Sequence, residues 1–264
     1  MYTIGKIIGK GGFGYVREAI DKHGNPVAIK YIPKNAINEW VEMNATKVPQ
    51  EVAFLHKLQN VNGVVKLIDF WEGMADYVIV MERPLLSQDL QSYMTENGPL
   101  TERQIKTIFL QILNILTEIH NHGICHRDLK PENILLDFSN HFAKVKIIDF
   151  GCASYFDTTK IDDTFRYFKG TRKYAPPEWF SCKTIFAKSS DVWGLGIILF
   201  GMLFGNISEE CIKNPTLVLP KQIPYEIKTL LCRILERKPL KRISLKDIHC
   251  TKWMQRRTYK CTYV

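Results

Sequence analysis

Near the middle of the chain lie His126-Arg127-Asp128-Leu129-Lys130-Pro131-Glu132-Asn133 and, after a short gap, Asp149-Phe150-Gly151. An acid, a lysine, an amide and a second acid at these offsets are what phosphoryl transfer requires, because that chemistry consists mostly of positioning and charge neutralisation. Asp128 would accept the proton of a substrate hydroxyl, and Lys130 would offset the charge of the moving phosphoryl group. Asn133 and Asp149 offer hard oxygen ligands for magnesium. A charged turn between two strands is the alternative interpretation.

The two motifs resemble the catalytic loop and the magnesium motif of protein kinases, and a lysine two residues after the aspartate is the serine/threonine form. The resemblance covers nearly the whole chain and implies an α+β, bilobal protein kinase fold. Its N-lobe would hold a five-stranded antiparallel sheet with one main helix, and its C-lobe would be mostly helical. We therefore expect a single kinase domain over residues 1–264, with an N-lobe at 1–81, a hinge at 82–86 and a C-lobe at 87–264.

The length and composition of the chain limit its number of domains and its cellular class. With 264 residues, of which 45% are hydrophobic, it can build a core as one large domain or as two small ones that share a cleft. No charged-then-apolar leader precedes the glycine-rich loop, so secretion by that route is not expected. The longest apolar run, Val192 to Phe204, is interrupted by glycines and too short to span a bilayer. We expect it to form a buried helix and expect no membrane contact.

The cysteines and the net charge exclude several classes of function. The seven cysteines are irregularly spaced, which indicates reduced intracellular thiols and no metal site. Cys125 and Cys152 flank the two motifs; we interpret them as small buried apolar residues, with redox sensitivity as the alternative. A net charge of +9 permits contact with nucleic acid, but the positive residues are dispersed except at 252–260. Nucleic-acid binding is therefore not expected as a main function.

A glycine-rich segment, Gly9-Lys10-Gly11-Gly12-Phe13-Gly14, lies between two predicted strands, Ile4 to Ile8 and Tyr15 to Ile20. Glycines let the backbone approach phosphates closely and turn its N–H groups toward them. The pattern alone is weak, because hairpin turns and dinucleotide-binding folds also carry it. Here a strand follows instead of a helix, which favours the glycine-rich lid of kinases.

Val27-Ala28-Ile29-Lys30 predicts a third strand that ends in a lysine. Lys30 is either a surface residue or, by resemblance, the lysine that holds the α- and β-phosphates of ATP. That lysine needs a carboxylate partner, for which Glu51 is the candidate. Glu51 lies in a helix predicted to start near Val48-Pro49, on turns that neighbour those of Phe54, Leu55 and Leu58.

Val64 to Trp71 and Tyr77 to Met81 predict the last two strands of the sheet, before the hinge Glu82-Arg83-Pro84-Leu85-Leu86. Pro84 has no N–H to donate to an adenine base, so only the bond to the Glu82 carbonyl should remain. Leu135 should form the floor under the base, opposite Val16 and Ala28. The expected ATP-binding residues are Gly9, Lys10, Gly11, Gly12, Phe13, Gly14, Val16, Ala28, Lys30, Met81, Glu82 and Leu135.

The remaining sequence predicts a helical half around the catalytic loop. Gln104 to His120 forms an amphipathic helix, and Ile134 to Leu136 pairs with Val145 to Ile148 in a small hairpin between the two motifs. Gly151 to Pro176 has the polar composition of a mobile activation segment. Asp191 begins the central buried helix and is expected to hold amides of the catalytic loop. The resemblance also makes Glu178 and Arg242 a structural ion pair.

Three further features resemble the Pim family of the calmodulin-dependent kinase group. They are Glu82 to Pro84, Pro176 to Trp179, and Trp40 before Val48-Pro49-Gln50-Glu51. Pim kinases are active without phosphorylation of the activation segment, and the resemblance implies the same here. Arg127 would still need an anion, supplied by the carboxylates of Asp162 and Asp163 or by a phosphate on Thr164.

The resemblance also implies substrates that are basic on the N-terminal side of the phosphorylated residue. Asp89 matches the acid that basophilic kinases direct at an arginine; an acid at a helix N-terminus is the alternative. Glu132 would assist, and Glu209 with Glu210 would extend the preference. The expected substrate-binding residues are Asp89, Glu132 and Thr171.

These observations lead to one main functional hypothesis, a non-specific serine/threonine protein kinase (EC 2.7.11.1) that uses ATP and Mg²⁺. Its expected catalytic residues are Asp128, Lys130, Lys30 and Glu51, and its expected metal ligands are Asn133 and Asp149. A pseudokinase that only binds partners is the alternative; it usually lacks at least one motif residue, and all are present here. We expect protein substrates with basic motifs, a monomeric protein, and a location in the cytoplasm and also in the nucleus.

Overall fold

The computed structural model describes residues 2–12, 14–98, 100–139, 142–160, 163–205 and 223–256. The chain divides into two compact units. The first comprises Met1–Gln88 and Leu135–Ala153, and the second comprises Asp89–Ile134 and Ser154–Val264. The sequence placed Leu135–Ala153 in the C-lobe and the first boundary at residue 81, so the compact units differ from those bounds.

The first unit is built on the antiparallel sheet that the sequence predicted. Its strand order is β1-β2-β3-β7-β6, with consecutive strands paired in the chain except where β7 joins β3. The alternating burial of β3 puts Val27 and Ile29 on the core side of the sheet. The strands of this sheet are β1 (Thr3–Gly11), β2 (Gly14–Ile20), β3 (Pro26–Pro33), β6 (Leu67–Glu72) and β7 (Asp76–Glu82).

The strand predicted from Val64 begins three residues later, at Leu67. Side chains bind the backbone before it: the amide of Lys66 donates to the Glu82 carboxylate at 2.9 Å, and the amide of Leu67 donates to the Gln59 side chain at 3.2 Å. Val64 itself makes an isolated bridge to Ile147. Backbone bonds persist in this stretch, from the Val65 amide to the Ile147 carbonyl and from the Glu82 amide to the Lys66 carbonyl, but they do not form a continuous ladder before Leu67.

A second hairpin, β4 (Trp40–Met43) paired with β5 (Thr46–Pro49), precedes helix α1 (Gln50–Lys57) and was not predicted as strands. Its two turn residues, Asn44 and Ala45, have φ values of 50° and 61°. Both lie in the left-handed region that two-residue hairpin turns of type I′ require. Helix α1 begins where the sequence predicted, and it buries Glu51 beside Phe54 and Leu55.

The predicted hairpin between the motifs is confirmed as β10 (Ile134–Asp137) and β11 (Lys144–Ile147), in a small sheet of order β11-β10-β8 with β8 at Ser87–Asp89. The hairpin belongs to the first unit because its contacts lie there. The amide of Phe138 donates to the Leu86 carbonyl at 2.7 Å, and Lys146 pairs with Glu82 at 2.7 Å. Sequence adjacency to the catalytic loop had suggested the other unit.

The second unit is mostly helical. The amphipathic helix α3 starts with a capping box, in which Thr101 and Gln104 exchange side-chain and backbone hydrogen bonds. Short strands β9 (Ile124–Cys125), β12 (Ser154–Tyr155), β13 (Thr164–Phe165) and β14 (Ile185–Phe186) pair as β12-β9 and β13-β14. The described helices are α2 (Leu90–Asn97), α3 (Glu102–Asn121), α4 (Pro177–Cys182), α5 (Ala187–Phe204), α6 (Tyr225–Ile234), α7 (Leu245–His249) and α8 (Lys252–Gln255).

Helix α5 begins at Ala187, four residues before the predicted start at Asp191. The prediction relied on apolar residues, and the first turn of the helix is mostly polar. Among the described helices it is the one whose length and composition would allow it to cross a membrane, and 72% of it is buried inside the protein. The core helix of a soluble protein meets the same criteria, so this feature is weak support for a membrane span.

Candidate active site

In the first unit, a buried lysine links two carboxylates. Lys30 donates to both Glu51 oxygens, at 2.7 and 2.9 Å, and to Asp149 Oδ1 at 2.8 Å. The sheet supplies Lys30 from β3, while Glu51 sits in the first turn of α1. The surface-lysine interpretation of Lys30 is therefore wrong, since the residue is only 7% exposed.

The charges of this cluster fix its protonation state. Burial acts to lower the pKa of Lys30, but the charges of Asp149 and Glu51 and their hydrogen bonds outweigh it and raise that pKa above its ordinary value. Lys30 is consequently a permanent cation at physiological pH. A fixed cation held between two acids is suited to binding phosphate oxygens.

The glycine-rich segment lies at the end of β1 and the start of β2, a longer hairpin than predicted. A Cβ atom on Gly14 (φ 131°) would collide with the Tyr31 carbonyl oxygen, so the backbone itself requires this glycine. Cβ atoms on Gly11 and Gly12 would meet no atom within 4 Å. Neither packing nor φ demands glycine at those two positions, which leaves open space at the backbone where a ligand could approach. Phe13 lies outside the described residues.

The residues of the first unit that are expected to bind adenine are partly exposed to solvent. Val16, Ala28 and Leu135 are half-buried, and Met81 is buried at the end of β7. Pro84 uses its carbonyl to accept a bond from the Ser87 hydroxyl at 2.7 Å. The assignment of these residues to a nucleotide base stays a prediction.

In the second unit, the proposed base is held in a compact hydrogen-bond network. Lys130 Nζ donates to Asp128 Oδ2 at 2.7 Å and to Thr171 Oγ1 at 2.5 Å. The Thr171 amide donates to Asp128 Oδ1 at 2.7 Å. The carboxylate is thus oriented through both oxygens, and the sequence-predicted residues Asp128, Lys130 and Thr171 are brought together.

Asn133 lies in the 3-10 turn Pro131–Asn133, with its amide group oriented by the same loop. Its Nδ2 donates to the Asp128 carbonyl at 2.9 Å, which leaves the amide oxygen as the atom able to bind a cation. Asp149 contributes a carboxylate that is 36% exposed. The described residues contain no group of three His, Cys, Asp or Glu suited to a metal. Magnesium in phosphoryl-transfer sites commonly takes one or two protein oxygens together with substrate phosphates, so the Asn133 amide oxygen of the second unit and the Asp149 carboxylate of the first unit are each the type of donor that Mg²⁺ prefers.

Asp191 anchors the catalytic loop, as the sequence predicted. Its two oxygens accept the amides of Arg127 and His126, at 2.8 Å each, and Oδ2 also contacts His120 Nε2 at 2.9 Å. Burial acts to raise the pKa of Asp191, but the bond and charge of His120, the charge of His126 and the amide bonds lower it below the ordinary value. Asp191 therefore stays ionised, which strengthens the hydrogen bonds that its carboxylate accepts from the loop amides.

Two glycines allow the loop to lie close to its supports. A Cβ atom on Gly194 in α5 would lie 2.7 Å from the Leu129 carbonyl oxygen, and one on Gly170 would lie 2.7 Å from the Arg127 carbonyl oxygen. Real Cβ atoms do not approach so closely. The backbone on either side of Asp128 thus rests directly on neighbouring backbone.

The pattern typical of protein kinases matches this chain over residues 2–254, under the description "Protein kinase domain". The chain belongs to the protein kinase family. Serine/threonine-protein kinase pim-2 of Danio rerio is 34% identical over 267 residues, covering 96% of this chain and 84% of that protein. Serine/threonine-protein kinase prk-2 of Caenorhabditis elegans is 33% identical over 265 residues, covering 97% of this chain and 59% of that protein.

A third relative, serine/threonine-protein kinase SIK1 of Mus musculus, is 32% identical over 264 residues, covering 96% of this chain and 32% of that protein. The chain therefore spans 59% of prk-2 and a third of SIK1, but most of pim-2. The predicted membership of the serine/threonine kinase family, with Pim-like relatives, is confirmed. The predicted protein kinase fold is confirmed as well. Members of the family generally use ATP and Mg²⁺ and act on protein substrates.

The acids assigned to substrate recognition already have partners in this kinase domain. Asp89 is the N-cap of α2: its Oδ1 accepts the Ser92 amide at 2.9 Å and its Oδ2 accepts the Ser92 hydroxyl at 2.7 Å. Glu132 is exposed, and its Oε1 accepts the Tyr174 hydroxyl at 3.0 Å. A carboxylate has further lone pairs, so these contacts orient the two acids without exhausting them. Glu209 and Glu210 lie outside the described residues.

The anion expected at Arg127 is not Asp163. The Asp163 carboxylate accepts the amides of Asp157 and Thr164, at 2.7 and 3.1 Å, and Asp162 lies outside the described residues. Arg127 instead donates to Ser154 Oγ and to the Tyr167 carbonyl. Sequence reasoning missed both partners, because their roles depend on how the activation segment folds back onto the loop.

Two cysteines flank the motifs, and the structure distinguishes their interpretations. Burial raises the pKa of the Cys125 thiol well above its ordinary value, which disfavours the reactive thiolate. Cys152 is likewise buried, at 3% exposure. The interpretation of Cys125 as a small apolar core residue is thus preferred to redox sensitivity.

Proposed function

We propose that this protein is an active serine/threonine protein kinase of the non-specific class (EC 2.7.11.1), which transfers the γ-phosphoryl group of Mg-ATP to serine or threonine hydroxyls. The observation that carries the proposal is the network of Asp128, Lys130 and Thr171, with bonds of 2.5 to 2.7 Å. An acid oriented through both oxygens beside a fixed cation has the arrangement needed to accept a hydroxyl proton and to offset charge on a phosphoryl group.

The roles of the other residues follow from their chemistry. Lys30, held by Glu51, would bind nucleotide phosphates, and the open backbone at Gly11 and Gly12 would let them approach. Asn133 and Asp149 would hold the magnesium, which, when bound, neutralises phosphate charge. Thr171 would orient Asp128 and Lys130 toward the substrate hydroxyl.

The test is transfer of phosphate from radiolabelled Mg-ATP to an arrayed peptide library by the full chain. We expect labelled serine and threonine peptides, and loss of at least 100-fold of the rate in Asp128→Asn, whose folded structure and nucleotide affinity should stay near those of the parent. Near-parent turnover in the purified variant would contradict the role of Asp128. Nucleotide binding without any transfer by the parent would favour the pseudokinase alternative.

A preference for arginine before the acceptor is the finer part of the proposal, and it is supported by the placement of two acids. Asp89 caps α2, and α2 packs on the turn that carries Glu132. Arginine pairs with such carboxylates through bidentate hydrogen bonds.

The cap contact of Asp89 allows a matched test of this preference. Asp89→Asn keeps a good N-cap and removes the charge, whereas Asp89→Ala removes both. If Asp89 binds the arginine of the substrate, both variants raise the KM for an arginine peptide severalfold. The KM for an alanine-substituted peptide then stays nearly unchanged. If Asp89 is only structural, Asp89→Asn behaves as the parent and Asp89→Ala affects both peptides alike.

A monomeric state and a location in the cytoplasm and also in the nucleus complete the proposal. The cysteines support the location, since the five that the structure describes form no disulfide with one another. Light scattering of the purified chain and microscopy of a tagged chain are the corresponding measurements. Nucleic-acid binding stays outside the proposal, although residues 257–264 of the basic C-terminal segment are not among those described.

A further inference from the structure

Arg127, the residue before the proposed base, is enclosed by aromatic rings. Its guanidinium carbon lies 4.2 Å from the ring centroid of Phe165 and 4.8 Å from that of Tyr167. The two rings are inclined at 60° with centroids 6.0 Å apart. Both rings therefore lie within the distance at which a cation is attracted to an aromatic face.

The hydrogen bonds of Arg127 leave its charge without an anionic partner in the described part of the chain. One terminal nitrogen donates to Ser154 Oγ at 2.8 Å and the other to the Tyr167 carbonyl at 2.7 Å, while Nε is buried without a described partner. The residue is 8% exposed. A cation removed from water needs electrostatic compensation, and the faces of Phe165 and Tyr167 are the electron-rich groups in contact with it.

The Phe165 ring is itself held by the second unit. Phe165 lies in β13, which pairs with β14, and its side chain packs on the core cluster of Cys125, Phe156 and Ala187. The Asp163 carbonyl accepts the Ala187 amide at 2.9 Å. Phe165 is therefore anchored to the start of α5, the helix that carries Asp191, and Tyr167 follows two residues later in the chain.

We propose that Phe165 and Tyr167 form an aromatic clamp that positions Arg127, and through it Asp128, by cation–π attraction in the absence of an activation-segment phosphate. The inference rests on the proposed kinase function. The clamp holds the Arg127 side chain while Asp191 holds its amide, so the peptide unit that leads to Asp128 is fixed from two sides. Phe165 and Tyr167 are positioning residues, since neither belongs to the Asp128 network.

The decisive experiment lowers the negative charge on the face of one ring in steps and leaves the shape of the ring nearly unchanged. Phenylalanine carrying one, three or five fluorine atoms is placed at residue 165 of the full chain, which is treated with phosphatase and checked by mass. Each fluorine withdraws electrons from the ring face. We expect kcat to fall stepwise, to at least tenfold below the parent for five fluorines, with little change in the KM for ATP. The same series at Phe180, an exposed residue of α4, is the control and should leave kcat within twofold.

Two substitutions separate electrostatics from packing. Tyr167→Phe keeps the ring and should stay within twofold of the parent, whereas Tyr167→Leu should lower kcat by at least fivefold. Equal activity of all fluorinated chains at residue 165, or equal activity of the Phe and Leu variants at residue 167, would overturn the clamp.

A readout independent of activity distinguishes failure of the clamp from failure of the proposed function. The Nε–H resonance of Arg127, identified by its loss in Arg127→Lys, should be displaced by the ring currents and should return toward the free-arginine position in Phe165→Leu. An inactive parent that shows this displacement would refute the kinase function and leave the clamp standing. An active parent whose resonance does not respond to Phe165→Leu would refute the clamp alone.

Discussion

Arg242 donates two hydrogen bonds to Glu178, at 3.0 and 2.9 Å, with both side chains buried. The pair predicted from the sequence is therefore present, and Arg242 also lies over the Trp193 ring at 5.1 Å. Removing one member of a buried pair leaves the other as an uncompensated charge. We expect Arg242→Met to lower the free energy of unfolding by about 3–5 kcal/mol, measured by urea denaturation. The double variant with Glu178→Met should lose less than the sum of the two single changes; strict additivity would show that the pair is not coupled.

Asp191 makes the stability of the second unit sensitive to acid. Its pKa is lower in the folded chain than in the unfolded chain, so the unfolded chain binds more protons at low pH. The stabilisation is complete above about pH 4, the ordinary range for aspartate, and is lost as the pH falls through the lower folded pKa. Asp191→Asn should be less stable at neutral pH and should lose less stability than the parent between pH 5 and pH 3. Parallel curves for the two proteins would contradict this assignment.

Lys30 should be required for turnover through its place between Glu51 and Asp149. We expect Lys30→Met to lower kcat at least 100-fold, about 2.7 kcal/mol of barrier, because the buried cation that would position the nucleotide phosphates is lost. Lys34→Met is the matched control, since Lys34 pairs with Glu72 at the surface and should leave turnover unchanged. Peptide phosphorylation with thermal unfolding of both variants separates activity from folding. Similar rates for Lys30→Met and Lys34→Met would remove Lys30 from the mechanism.

The turn between β4 and β5 offers a gain in stability. Ala45 holds φ at 61°, which costs an L-residue about 1–2 kcal/mol, and glycine avoids most of this cost. Ala45→Gly should therefore stabilise the first unit by about 0.5–1 kcal/mol, seen as a raised denaturation midpoint. Ala36→Gly, at a position without positive φ, should instead be neutral or destabilising. A gain at both positions would mean that the φ of Ala45 is not the cause.

The hinge should show a selective response to inhibitors. Pro84 cannot donate a hydrogen bond, so compounds that need a second hinge donor bind without it. Pro84→Ala restores an N–H, and one net hydrogen bond is worth on the order of 1 kcal/mol, or about fivefold in affinity. Compounds that use only the Glu82 carbonyl should bind both proteins equally. Calorimetry with one compound of each kind checks this, and an equal change for both would point to altered hinge shape instead.

The charged framework was predictable because its residues lie in motifs that resemble those of protein kinases, and the resemblance implies which charges pair. The resemblance paired Lys30 with Glu51 and Glu178 with Arg242, and the structure contains both pairs. The environment of Arg127 was not predictable in the same way. Its partners are two rings and a backbone carbonyl, which carry no formal charge and come together only when β13 pairs with β14.

Local features of turns and helix ends explain the other elements that the sequence did not predict correctly. The hairpin of β4 and β5 has Asn44-Ala45 at its turn, and alanine does not signal a left-handed position as glycine does. The first turn of α5 is polar, so an apolar pattern placed its start too late. The strand begins later than predicted, at Leu67, where the Glu82 side chain accepts the amide of Lys66 and the Gln59 side chain accepts the amide of Leu67.

The close approach of Gly194 to the Leu129 carbonyl limits which amino-acid substitutions the core helix can accept. A single added methyl group in the middle of the core helix would push directly on the residue after Asp128. Such a change would be felt first in turnover, while the helix and its hydrophobic neighbours stay assembled. The shape of the loop that carries Asp128 therefore depends on a position inside the core helix, and a substitution in the interior of the second unit would act on that loop directly.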